Sequence, residues 1–335
     1  MKILLTGTRA PATYDLAKKL TAAGCTVIGS DSMRHTVGQL DQRYPSPRFA
    51  TEQFIIALND IATANSVDLI WPTCEEVFYV GQYLSAFSLP VYCPAWSVLQ
   101  TLHNKRTFIG FAKQQSNAVS YPAEGEGCDV IWKREYSRFA THVLNRRPNN
   151  SAGWFSQERI YGNEFSSWGL CREGRLLLAS CYSALARSSG AATAFRPVSA
   201  PDAIQFMSDI AKSTRYTGSI AFDFIRTPIG DTYVIECNPR LTSGIHLITD
   251  PKDVLNAING IDNMSPVLQA SKLGPLLLTK PRECLSLRHL PDVLKGVAYR
   301  QLVLSALEFV GVALEHRISL PEAATYDIEF NGLSR

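Results

Sequence analysis

Asp223, Glu236 and Asn238 are the residues of this chain best placed, by type and spacing, to do chemistry. They lie in IAFDFIRTPIGDTYVIECNPR, residues 220–240, which reads as two short strands joined by a tight turn through Thr227–Asp231. Side chains alternate faces along a strand, so Glu236 and Asn238 point the same way, and the turn brings Asp223 alongside. Two carboxylates and an amide oxygen at one spot are hard ligands, suited to Mg²⁺ shared with a substrate's phosphates. Arg240, two residues on, is placed to meet an anion. The other reading, an ordinary hairpin with exposed charges, leaves unexplained why acids interrupt otherwise apolar strand runs.

Lys133 ends the apolar strand DVIWK, and Lys105 lies just inside a helix. Each is either a solvated surface charge or a cation held against phosphate oxygens, where it acts most strongly once water is excluded. Gln157, Glu158 and Glu164 are acceptors of the sort that take an adenine amino group or ribose hydroxyls; surface carboxylates would look the same. Arg187 and Arg196 flank SSGAATAF, 188–195, and offer guanidinium forks to a phosphate or a substrate carboxylate. The run between them reads equally as a plain loop. Cys237, between two site residues, is expected to face the core. His246 is either close to the site or a satisfied structural histidine. The sequence offers no nucleophile elbow and no zinc spacing.

The elements that must hold these residues begin with a βαβ pattern. KILLT (2–6), a helix over 13–23, Gly24 and a strand over 25–31 argue a parallel sheet. An irregular stretch, 31–50, follows. Then come a helix over 52–65, a strand over 67–72, a helix over about 75–86, a fourth strand LPVYCP (89–94), and helices over 96–101 and 104–114. Gly7–Thr8, Asp31 and Thr73–Glu75 should share the carboxyl edge of this sheet, where open parallel sheets bind ligands. TGTRAPA has a single glycine, too few for a dinucleotide fingerprint.

From about 117 the pattern changes to short strands: 128–133, 139–144, 154–160, and a hairpin over 162–183 around Glu173–Gly174. Together they read as a small antiparallel unit able to act as a lid. A helix over 201–214 turns Ile204, Met207, Ile210 and Ala211 to a core. Helices over 251–258 and 291–310 follow the diagnostic hairpin, with AYR (298–300) and ATYDIEF (324–330) strand-like. SKLGPLLLTKP, 271–281, and the helix near 298–310 are apolar enough to close a substrate pocket or form a subunit contact.

Composition bounds the reading. At 335 residues, 46% hydrophobic and 19% charged, the chain is globular rather than disordered. A net charge of +3 without a basic run argues against nucleic acid. No apolar run approaches the roughly 18 residues of a membrane span. MKILLTG is too short for a signal peptide, and eight scattered cysteines show no C-x-x-C pair, so a cytoplasmic protein with reduced thiols is expected.

In this order the motifs resemble the ATP-grasp enzymes, in particular carboxylate–amine ligases and carbamoyl-phosphate-synthase-like members. The resemblance covers roughly 1–250 and is most specific in FDFIRTPIGDTYVIECNPR, where that family carries an acid on one strand and E-x-N-P-R on the next. It implies an α/β architecture with an α+β lid: a Rossmann-like N-terminal domain (1–116), a lid (117–184), a catalytic core (185–265), and a C-terminal extension (266–335) completing the core or substrate pocket. It implies ATP and Mg²⁺ as cofactors, with Asp223, Glu236 and Asn238 as metal ligands and Arg240 steadying the transferred phosphoryl group. Lys133 and Arg196 complete the expected catalytic set. Lys105, Lys133, Ser137, Gln157, Glu158, Glu164 and Arg187 make up the expected nucleotide site.

Three departures stand out. Asp223 replaces a more usual Glu, Asn104 a usual Asp, and the residues after Lys133 (Arg-Glu-Tyr-Ser-Arg-Phe-Ala) a glycine- or serine-rich loop. Either that loop closes differently or Arg138 supplies phosphate contacts itself. The implied reaction activates a small carboxylate as an acyl phosphate and joins it to an amine. Alternatives keep the ATP site with another carboxyl donor or nucleophile, or make the chain a non-catalytic nucleotide-binding regulator. Small carboxylate and amine partners are expected, without nucleic acid or membrane; homodimerisation is a general expectation for a soluble enzyme.

Overall fold

β1 (Lys2–Leu5), α1 (Pro11–Ala22), β2 (Thr26–Asp31), β3 (Gln42–Arg43), α2 (Thr51–Ala64) and β4 (Leu69–Trp71) wind a parallel sheet in the order β3-β2-β1-β4. The computed structural model describes residues 1–125, 129–138, 142–188, 191–277 and 280–332. Ile3, Leu4, Leu5, Ile70 and Trp71 are fully buried, as strands covered on both faces require. Gly7 leaves β1 at φ +66°, and a Cβ there would sit 2.7 Å from Cys74 Sγ, so this turn is open only to glycine. The fourth strand expected over 89–94 is reduced to one parallel bridge, Val91 to Ile70. Pro90 and Pro94 bring no N–H, so the run has too few donors for a ladder.

α3 (Val77–Gln82), α4 (Trp96–His103) and α5 (Lys105–Gln115) lead out of this sheet. Asn104 caps α5: its Oδ1 accepts from the amides of Arg106 and Thr107 at 3.0 Å each. Its Nδ2 donates to the Glu135 carboxylate at 3.0 Å, a contact that an aspartate would turn into repulsion. β5 (Val130–Arg134), β6 (Val143–Leu144) and β7 (Trp154–Glu158) form a small antiparallel sheet in the order β6-β5-β7. Of the strand expected over 139–144, residues 139–141 lie outside the described residues, as does Cys128.

β8 (Asn163–Arg172) and β9 (Arg175–Ser188), read from sequence as part of the lid, do not join that sheet. They pair with β10 (Ala191–Pro197), β11 (Gly218–Arg226), β12 (Thr232–Asn238) and β13 (Ser271–Lys272) in the order β12-β11-β8-β9-β10-β13. The boundary expected at 184 therefore falls inside β9. Burial explains the placement: Trp168, Leu170, Cys171, Leu177 and Leu178 are almost wholly enclosed, which takes cover on both faces of a large sheet. Glu173 and Gly174, with φ of +51° and +83°, make the two-residue turn that suits a right-twisted hairpin. In SSGAATAF, strands stand on either side of residues 189–190, which lie outside the described residues.

α6 (Pro201–Thr214) covers one face of this sheet. Phe206, Met207, Ile210 and Ala211 pack with Phe222 and Phe224, while Ile204 is partly buried. α7 (Pro251–Ile258) lies on α1, α8 (Pro281–Ser286) follows, and α9 (Tyr299–His316) starts later than expected. Gly296, at φ +100°, breaks the chain ahead of it, and the strand-like AYR becomes its first turn.

α10 (Leu320–Ala323) opens on a Ser319–Glu322 capping box. Beyond it, 324–330 is no strand. It crosses the carboxyl edge of the parallel sheet, where Arg9 ion-pairs with both Asp31 and Asp327 and Tyr79 Oη donates to the Glu329 carbonyl at 2.6 Å. The part of that edge beside β2, open to a ligand on the sequence reading, is filled by the chain itself. Among the described residues no helix is long and apolar enough to cross a membrane, and all seven cysteines are free thiols.

Candidate functional site

β11 and β12 pair antiparallel with Asp223 directly opposite Glu236, and a bulge after Asp223 offsets the strand beyond it. Asp223 also stands opposite Ser166 of β8, whose Oγ donates to its Oδ1 at 2.6 Å. Asn238, two residues past Glu236, shares their face: its Nδ2 donates to Asp223 Oδ2 at 3.1 Å and lies 3.5 Å from Glu236 Oε1. Cys237 points the other way and is buried with Phe222 in the α6-side core.

Cations gather over the two acids. Lys105, at the first position of α5, places Nζ 3.1 Å from Glu236 Oε2 and donates to the Ser137 carbonyl at 2.6 Å. Lys133 on β5 is buried and donates to Gln157 Oε1 at 2.8 Å. Burial pulls its ammonium down to about 8, against the upward pull of Glu236. Burial and the neighbouring Glu236 charge push Asp223 up to about 7, while Lys105 and Lys133 outweigh burial at Glu236 and hold it below its ordinary value. Two carboxylates this close favour taking up a proton or a cation between them.

Arg240 Nε donates to Glu75 Oε1 at 2.9 Å, and Arg138 Nε lies 2.8 Å from Glu75 Oε2. Burial would raise this carboxyl, but Arg138 and Arg240 hold it down at about 2. Glu75 thus joins the parallel sheet to the hairpin arginine and to the loop after β5. Arg138 also donates to the Glu329 carboxylate at 3.1 Å, the Phe330 carbonyl at 2.6 Å and Asn331 Oδ1 at 2.9 Å. Sequence reasoning put Glu75 on the ligand edge without a role; an acid directly after a central strand was the signal available.

The outer candidates divide. Glu164 and Arg187 ion-pair at 2.8 Å, exposed, at the rim. Glu158 is exposed and accepts from the Ala123 amide at 3.1 Å, and the Gln157 oxygen is already engaged by Lys133. Arg196 stands opposite Ser183 and donates to its Oγ at 3.0 Å. By strand alternation Ser183 shares a face with Cys181, on the α6 side, so Arg196 lies across the sheet from Asp223 and is not brought to the acids. His246 is buried and bonds Asp15 through Nδ1 at 2.9 Å, the structural role of its two readings.

Residues 88–244 match the ATP-grasp domain family. That match covers just under half of the chain and takes in Lys105, Lys133 and the hairpin of Asp223, Glu236 and Asn238. Solved structures with this fold include N5-carboxyaminoimidazole synthetase from Staphylococcus aureus complexed with ADP, at TM-score 0.62 and 13% identity, covering 86% of each chain. The N5-carboxyaminoimidazole synthase of Aspergillus clavatus, in complex with ADP and its aminoimidazole ribonucleotide, aligns at 0.59 and 12% over 80% of each chain. The biotin carboxylase domain of Hydrogenobacter thermophilus 2-oxoglutarate carboxylase, holding MgADP, ADP and bicarbonate, aligns at 0.59 and 12%, over 78% of this chain and 70% of that one. A search of the curated proteins finds no sequence match.

In this matched segment the donor set fits Mg²⁺. Among the described residues no three His, Cys, Asp or Glu side chains converge, so a cation would rest on two carboxylates, the Asn238 amide oxygen and ligand oxygens, as Mg²⁺ favours. The Asn238 N–H₂ now lies between the carboxylates, supplying partial positive charge where the cation's full charge would go, and an amide turn would present its oxygen instead.

Proposed function

We propose that the protein is an ATP- and Mg²⁺-dependent ligase that activates a small carboxylate as an acyl phosphate and joins it to an amine. The reading is carried by the paired carboxylates Asp223 and Glu236 beneath Lys105 and Lys133. Like charges set opposite each other on neighbouring strands are a cost that pure nucleotide recognition does not require, and perturbed acids of this kind mark chemical sites. Asp223, Glu236 and Asn238 would hold Mg²⁺, which when bound neutralises phosphate oxygens.

The chain's own residues position and neutralise. Lys105, Lys133 and Arg240 surround the transferred phosphoryl group with fixed positive charge, and the β5–β7 sheet excludes water from the acyl phosphate. The substrate carboxylate oxygen attacks the γ-phosphorus as the bond to ADP breaks. The amine then attacks the acyl carbon and phosphate leaves, the amine's proton passing to phosphate or solvent. Glu164 and Arg187 at the rim would meet the ribose or outer phosphates.

Phosphorus-31 NMR with Mg²⁺–ATP and pools of carboxylic acids, with and without amines, tests this. Bicarbonate belongs among the donors because the Hydrogenobacter structure is a complex with bicarbonate as well as MgADP. ADP and phosphate formed only with one carboxylate–amine pair would support the ligase. AMP and pyrophosphate would replace it with adenylation. ATP that binds but survives every pool would make the chain a nucleotide-binding regulator.

A further inference from the structure

Glu236, Asp223, Ser166 and Tyr182 stand in one row across β12, β11, β8 and β9, each directly opposite the next. Opposite residues of antiparallel strands face the same way, so the row runs from the paired acids to a phenol on one side of the sheet. The two acids are held alike within it. Asp223 Oδ1 accepts from Ser166 Oγ at 2.6 Å, the length of a charge-assisted hydrogen bond, and Glu236 Oε2 lies 3.1 Å from Lys105 Nζ. The remaining oxygens, Asp223 Oδ2 and Glu236 Oε1, turn to the Asn238 amide at 3.1 and 3.5 Å. Each acid thus has an outer oxygen engaged by a neighbour and an inner oxygen at Asn238. Behind Ser166 stands Tyr182, its ring edge-on to Phe195 in the core with centroids 5.8 Å apart. Its Oη lies 3.5 Å from Thr242 Oγ1 and within reach of the Ser166 side chain. A serine in this strand is not engaged by default: the hydroxyl of Ser167, buried on the opposite face, meets no polar partner among the described residues.

We propose that Ser166, backed by Tyr182, is a positioning residue for the cation: it fixes the Asp223 carboxylate so that Oδ2 alone is presented, beside Glu236 Oε1 and Asn238. The inference rests on the metal assignment made above and adds what sets the geometry of its ligands. The last torsion of an aspartate is broad, so an unheld carboxylate can present either oxygen or both. The Ser166 hydroxyl removes that freedom, as partners of metal ligands do. With one oxygen taken from each acid, the cation keeps its other places for phosphate oxygens and water, which is how Mg²⁺ is bound in phosphoryl-transfer sites.

Calorimetry of ADP binding to the full chain, with EDTA and with saturating Mn²⁺, tests this, the ratio of the two affinities measuring what the cation adds. Mn²⁺ should tighten ADP on the wild type. Ser166→Ala should cut that gain by about tenfold or more and leave both the affinity in EDTA and the melting temperature unchanged. Ser166→Thr, which keeps the hydroxyl, should retain most of the gain. Tyr182→Phe should lose a smaller part, and should lose nothing further in a Ser166→Ala background, because it acts through Ser166. A wild-type ratio of one removes the metal assignment and the inference with it. A wild-type gain that survives intact in Ser166→Ala overturns the inference alone. So does a Ser166→Thr chain as weak as Ser166→Ala, which lays the loss to packing rather than to the hydroxyl. A Tyr182→Phe loss that adds in full to that of Ser166→Ala overturns the part given to Tyr182.

Discussion

Glu75→Gln should loosen the join that Arg138 and Arg240 make to the parallel sheet, by an amount the structure sets. The carboxylate is 2% exposed and gripped from both sides by Arg138 and Arg240. Burial opposes its charge, yet the arginines hold it at about 2 against an ordinary 4.5. At 1.36 kcal/mol per pH unit that gap is worth about 3 kcal/mol. Because the folded value is depressed, the stabilisation is fully present above pH ~4.5 and drains away as pH falls toward 2.

Glutamine keeps the shape and removes the charge, leaving two buried guanidiniums to share a neutral amide, an uncompensated arrangement that costs about 3–5 kcal/mol in buried pairs. Urea unfolding at pH 7 should therefore find Glu75→Gln less stable by about 3 kcal/mol. At pH 3 the wild type has lost about 2 kcal/mol of the contribution, so the difference should narrow to about 1. A difference under about 1 kcal/mol at pH 7, or one equal at both pH values, would refute the reasoning.

Three further outcomes follow from the site. Glu236→Gln should leave the fold intact by circular dichroism and remove most ATP turnover; full turnover would end the metal assignment. Arg240→Ala should lower the rate of phosphoryl transfer far more than nucleotide affinity, so a variant measured by calorimetry to bind ATP weakly yet turn over normally would contradict its role. Lys133, held down at about 8 by burial, should lose its charge as pH rises through that value. ATP affinity should then fall by up to about tenfold per pH unit above pH 8, more gently in Lys133→Arg, and a flat profile from pH 7 to 9.5 would argue against a phosphate contact.

The site's acids were legible because strand alternation is a local rule: Asp223, Glu236 and Asn238 need only a turn between two strands to converge. Partners separated by long stretches of chain were not. Glu75 meets Arg240 across 165 residues, and nothing near Glu75 in sequence announces that contact. The hairpin over 163–188 was readable as a hairpin, but a strand pattern does not say which sheet receives it, and its burial on both faces decided that. ATYDIEF alternates like a strand, yet Asp327 and Glu329 are taken by Arg9, Arg48 and Arg138, so side-chain ion pairs replace a backbone ladder. Arg196 was misplaced by strand register, which sets it one residue out of phase with the acids' face.

The strap over residues 324–331 gives assembly a direction in time. Arg138 waits 191 residues for Glu329, and Arg9 waits 318 for Asp327. At synthesis rates of about 5–20 residues per second, the first of those intervals lasts on the order of 10–40 s. Before it ends the strands of the parallel sheet and of the β11–β12 hairpin have all been synthesised, while the loop after Lys133 still lacks its outer anchor. The nascent chain therefore carries Asp223, Glu236 and both lysines before the loop beside them is fastened, and the last contacts of that loop wait for a segment made nearly 200 residues later.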